Sequence, residues 1–167
     1  MSRYIVLGVL LLISLLLEST VLDYFKIAGT KPDLLLLLVV FSGLLHGHVV
    51  GAKTGFIFGL VEDLYTGSFL GLNAVSKMLV GYLVGWSETK IFKENLFIPA
   101  LTSFVSTFLA NIIYIVIAML AGIDHKIIAY VWHDTLTLAL FNACLAPFFY
   151  GKFYQEAKKG VLAVKRY

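Results

Sequence analysis

Residues 34–61 read LLLLLVVFSGLLHGHVVGAKTGFIFGLV, and how this stretch is divided decides the fold. It is apolar almost throughout. As one helix its 28 residues would run about 42 Å, against about 30 Å of hydrocarbon in a bilayer. His46-Gly47-His48 stands near its middle. Two short helices joined by a tight turn fit better than one long one, the first covering residues 33–45 and the second 49–64.

The rest of the chain has the same character. It is 60% hydrophobic and only 14% charged over 167 residues. A soluble domain carries roughly 25% charged residues, so the bilayer must serve as solvent for much of this chain. Outward from the decisive stretch, apolar runs cover residues 4–22, 69–86, 97–120 and 127–150. Six spans of about 20 residues leave only short loops. The expected fold is an all-α integral membrane protein of six transmembrane helices. Residues 1–150 form one transmembrane domain and residues 151–167 a basic cytoplasmic tail. In that tail Phe153, Tyr154, Val161, Leu162 and Val164 are the apolar positions of an interfacial helix. Arg3 and the first apolar run resemble a signal peptide, but the run continues past Glu18 and no small-residue cleavage site follows, so it reads as a retained span.

The net charge of +3 is read as a topology signal rather than as nucleic-acid binding. With six spans, one side of the membrane holds Arg3, Lys53, Lys90, Lys93, Lys152, Lys158, Lys159, Lys165 and Arg166. The other side holds Lys26, Lys31 and Lys126, and Lys77 lies inside the fourth span. Nine against three places both termini in the cytoplasm. Basic residues there also meet anionic membrane lipid.

Two stripes carry most of the information. Gly51, Gly55, Gly59 and Asp63 are four apart, and so are Asn73, Lys77, Gly81 and Gly85. At this spacing each set lies on one helix face, and the glycines let a neighbouring helix approach closely. Pairing the two antiparallel stripes puts Gly51 near Gly85, Gly55 near Gly81, and Asp63 near Asn73 and Lys77. A lysine in hydrocarbon is unfavourable by roughly 3 kcal/mol unless paired or snorkelled. Lys77 is therefore expected to pair with Asp63, or with Glu62 or Glu18. The seam reads either as helix packing or as a polar pocket or partner-contact site towards the outer leaflet, with Glu62 and Asp63 near the headgroups.

Other polar residues say less. Ser103, Thr107 and Asn111 share a face suited to interhelical hydrogen bonds. His133 and Asp134 are adjacent, so they point about 100° apart on a helix, poor geometry for an orienting pair. His46 and His48 have no carboxylate or cysteine nearby and do not make a metal site. Cys144 reads as a small packing residue. There is no Walker loop, no H-E-x-x-H and no G-x-S-x-G, so no catalytic, cofactor or metal residue is assigned.

Three stretches resemble one family. Pro32-Asp33-Leu34-Leu35-Leu36 opens the second span. Gly51-x3-Gly55-Phe56-x2-Gly59-Leu60-x2-Asp63-Leu64-Tyr65-Thr66-Gly67-Ser68-x-Leu70-Gly71-Leu72-Asn73-Ala74 follows, and Phe141-Asn142-Ala143 precedes Pro147. This pattern resembles the bacterial rod shape-determining protein MreD. The resemblance implies a non-enzymatic member of the cell-elongation machinery in the bacterial inner membrane. It implies direct association with MreC and, through it, coupling of MreB filaments to peptidoglycan synthases. It also implies the six-helix fold of the substrate-binding subunits of energy-coupling-factor transporters. That fold raises a rival function, a small-molecule-binding membrane subunit of a transporter, with Glu18, Asp63, Asn73 and Lys77 as its polar lining.

Overall fold

The computed structural model describes residues 3–20, 29–67, 69–87, 97–123 and 125–159. Among these the regular structure is six helices: α1 Arg3–Ser19, α2 Leu34–His46, α3 His48–Thr66, α4 Leu72–Ser87, α5 Phe97–Leu120 and α6 His125–Lys159. Several expectations lie outside the described residues. These are the end of the first span at Leu22, the loop residues Asp23 and Lys26, Ser68, Lys90 and Lys93, and the tail residues Val161, Leu162, Val164, Lys165 and Arg166.

The stretch 34–61 is indeed two helices. Gly47 sits between them at φ 85° and ψ 177°, a conformation that side chains rarely adopt. Its N–H still bonds the Gly43 carbonyl, and its carbonyl accepts from Gly51. One residue thus reverses the chain while both of its own backbone groups stay bonded.

Helix α2 is the centre of the molecule. Leu35, Val39, Val40 and Phe41 are fully buried, and α2 packs against all five other helices. A helix apolar all round belongs in such a place. Its 13 residues span about 20 Å, less than the hydrocarbon thickness. Helices α5 and, from Val131 to Gln155, α6 are long and apolar enough to cross a membrane. Helices α3 and α4 carry Lys53, Glu62, Asp63 and Lys77 in mostly apolar sequence.

Two features differ from the sequence reading. Helix α6 runs unbroken past Tyr150 to Lys159, so the expected boundary between residues 150 and 151 falls inside it. Tyr150 and Phe153 pack edge-on and tilted against Phe41 of α2, and Tyr154 stacks on Tyr150, which carries the helix through Gly151. Cys144 is exposed on the outside of α6 rather than packed within the bundle.

Candidate functional site

A helix that begins inside a bundle has backbone N–H groups that neither its own turns nor water can satisfy. Helix α2 begins in this way, and its N-terminus draws Glu18, Asp33 and, through Lys77, Glu62 into one cluster. Glu18 of α1 accepts from Leu34 N and, at 3.1 Å, from Leu35 N. Asp33 accepts from Leu36 N at 2.7 Å, and Asn142 of α6 accepts from Asp33 N at 3.0 Å. Four N–H groups are thus bonded by three side chains from three parts of the chain. The positive end of the helix dipole favours carboxylates here.

Lys77 balances this negative charge. Its ammonium lies 2.7 Å from one Asp33 oxygen and 2.9 Å from the other, and it also pairs with Glu62. Lys77 is 2% exposed, whereas the Asp33 and Glu62 side chains are 19% and 17% exposed. The carboxylates therefore stand between the buried ammonium and the space outside it.

The expected partner Asp63 is occupied elsewhere. It accepts from Gly71 N at 2.9 Å, from Asn73 N and Ala74 N at 3.2 Å each, and from the Asn73 amide at 2.9 Å. Asp63 is to α4 what Glu18 and Asp33 are to α2, a carboxylate closing a buried N-terminus. Replacing Asp63 by alanine should cost about 2 kcal/mol or more, because it orphans several N–H groups at a fully buried site. Unfolding of the purified protein would measure this, with faster amide exchange expected in the first turn of α4.

This cap also sets the register of the seam. A Cβ built on Gly51 would overlap the Gly81 carbonyl, one on Gly55 the Lys77 carbonyl, and one on Gly59 the Asn73 carbonyl. Gly85 faces His48 and Gly47. The observed pairing is thus one helical turn away from the expected Gly51–Gly85 and Gly55–Gly81. Asp63 has to reach beyond the start of α4 to cap it, which slides α3 outward by that turn.

A second polar chain crosses to the long helices. The Asn142 amide donates to Thr107 at 3.0 Å, and Thr107 donates to the Ser103 carbonyl. Asn111 donates to Thr135 at 2.8 Å. The bonds of Asn142 and Asn111 are the interhelical ones expected of this face, while the Ser103 hydroxyl has no hydrogen-bond partner among the described residues. His133 and Asp134 do meet, at 3.0 Å, because side chains on successive residues bend together at an exposed position.

The same bonds place the cluster along the long helices. Thr107 stands ten residues after Phe97 and thirteen before Leu120, about 15 Å and about 20 Å along α5. Through Asn142, Asp33 lies level with it. The Lys77 group therefore sits beside the middle of α5. Above it is a cleft of about 390 Å³ bounded by Glu18, Asp33 and Glu62 on one side and by Asn111, Tyr114 and Asp134 on the other.

The sequence reading missed Asp33 and Asn142 as site residues, although both stood in quoted motifs. The available signal was local: an aspartate after proline and before an apolar run is a helix N-cap.

No solved structure matches the chain. The rod shape-determining protein MreD family matches residues 1–157, nearly the whole length. The two long apolar helices agree with a membrane protein. The chain belongs to the rod shape-determining protein MreD family, and its role lies in rod shape determination.

Proposed function

We propose that this protein is a non-enzymatic scaffold of the cell-elongation machinery, crossing the inner membrane six times with both termini in the cytoplasm. It binds MreC directly and helps couple MreB filaments to peptidoglycan synthesis. The family match over residues 1–157 carries this reading. The rigidity of the bundle supports it, since α3 and α4 touch backbone to backbone and one buried ammonium ties α2, α3 and α4 together. The bias of nine basic residues against three supports the orientation. Leu101, Val105, Ile112, Val116 and Met119 form an exposed apolar stripe on α5 that suits lipid or a partner's single helix.

Photocrosslinkers scanned along α3, α4, α5 and α6 in cells test this. The expected product is an adduct with MreC confined to one helix face. The transporter-subunit reading is favoured by the cleft alone, and recovery of an ATPase module with no MreC adduct at any position would overturn the scaffold in its favour.

A further inference from the structure

The capping of α2 does not use everything in the cleft. Glu18 is only 9% exposed, and both its bonds to α2 go to Oε1. Its Oε2 takes no hydrogen bond from the described residues. Thr30 also lines the cleft, is 8% exposed, and has a hydroxyl with no hydrogen-bond partner among the described residues. A buried hydroxyl left unpaired is unfavourable by about 1–3 kcal/mol and calls for an occupant. Beside them Asp134 brings another carboxylate into the same space. Glu18, Asp33, Glu62 and Asp134 stand against two ammonium groups, Lys31 and Lys77, and the Lys77 ammonium is enclosed by its own pairs. The cleft therefore gathers more acidic than basic side chains and is polar. Its volume falls in the range of small-molecule sites. Among the described residues no three His, Cys, Asp or Glu side chains converge as metal ligands do, so an organic cation fits better than a divalent metal.

We propose that the cleft between Glu18, Thr30 and Asp134 binds a small hydrophilic primary amine. The ammonium sits against Glu18 Oε2 and Asp134, and the Thr30 hydroxyl accepts from or donates to the ligand's polar body. This site is separate from the scaffold reading, and its test needs only the purified protein.

The test uses Thr30→Cys in a Cys144→Ser background, reconstituted in phosphatidylcholine nanodiscs. The Thr30 hydroxyl has no partner to lose, so the exchange is a mild one. Rates of reaction with 2-aminoethyl and 2-sulfonatoethyl methanethiosulfonate are measured, each divided by its rate with free mercaptoethanol. The amine reagent should be favoured about tenfold or more, and Glu18→Gln should remove most of that preference. Ethanolamine at on the order of 10 mM should slow the reaction, and ethylene glycol should not. Nanodiscs of phosphatidylethanolamine separate the sources of the amine: slowing by that lipid alone assigns it to a headgroup, and no slowing assigns it to a soluble ligand. Equal normalised rates for the two reagents overturn the proposal. So does failure of the amine reagent to react, or a preference untouched by Glu18→Gln or by ethanolamine.

Discussion

Lys77→Met is expected to destabilise the folded protein by about 3 kcal/mol, and cells carrying it as their only copy should lose rod shape. The reason is what remains behind. Asp33 and Glu62 both face the vacated position with less than a fifth of either side chain exposed, so two like charges are left without a counterion. Breaking a buried pair by removing one partner costs about 3–5 kcal/mol. The lower end applies because the carboxylates touch the cleft. An opposing effect must be weighed. Methionine avoids the roughly 3 kcal/mol penalty of a lysine in hydrocarbon. That penalty acts on the inserted but unpacked helices as well, so it largely cancels from the folding equilibrium. The uncompensated carboxylates exist only when α2, α3 and α4 are packed. A triple variant checks the argument: Lys77→Met with Asp33→Asn and Glu62→Gln should recover to within about 1 kcal/mol of the parent, since replacing a whole buried ionic group is often close to neutral. Asparagine is chosen at residue 33 because it still caps the helix. Unfolding in micelles measures both, and a single variant as stable as the parent would remove the ion pair from any account of the fold.

The sequence made the helices and the stripes legible but not their registration. Four-residue spacing is a local property, so Gly51, Gly55, Gly59 and Asp63 could be placed on one face without knowing the fold. Which rung faces which depends on how Asp63 caps the start of α4, and spacing carries no trace of that. Glu62 was among the expected partners of Lys77, but its second partner, Asp33, was hidden for a related reason. Asp33 lies 44 residues away, and nothing in the sequence shows that a short central helix begins level with Lys77. Asn142 is further still, 109 residues from the N–H it accepts. The length of α2 held the needed clue. A helix of 13 residues is shorter than the hydrocarbon of a bilayer is thick, so in a membrane one of its ends would lie inside, and an end there requires carboxylate or amide acceptors from other helices. Glu18, Asp33 and Asn142 meet that requirement together.

The seam between α3 and α4 should be the least tolerant surface in the protein, and Gly55→Leu its most damaging substitution. A Cβ at residue 55 would overlap the carbonyl oxygen and carbon of Lys77 and lie 2.9 Å from the amide nitrogen of Met78. All of these are backbone atoms, which cannot rotate aside as a side chain would. Overpacking a close interface costs about 1–3 kcal/mol and sometimes more, and a backbone obstacle puts this case at about 3 kcal/mol or above. The damage does not stay at the contact. The carbonyl pushed away belongs to Lys77 itself, so parting the helices also draws its ammonium from Asp33 and Glu62. Gly55→Leu and Lys77→Met should consequently be non-additive, the pair losing clearly less than the sum of the singles. Gly8 supplies the control: a Cβ there meets nothing within 4 Å, so Gly8→Ala should be neutral or stabilising by up to about 1 kcal/mol. If Gly55→Leu matched Gly8→Ala in unfolding, the helices would not be held at this distance. Full additivity with Lys77→Met would mean that the glycine seam and the ion pair are independent supports rather than one.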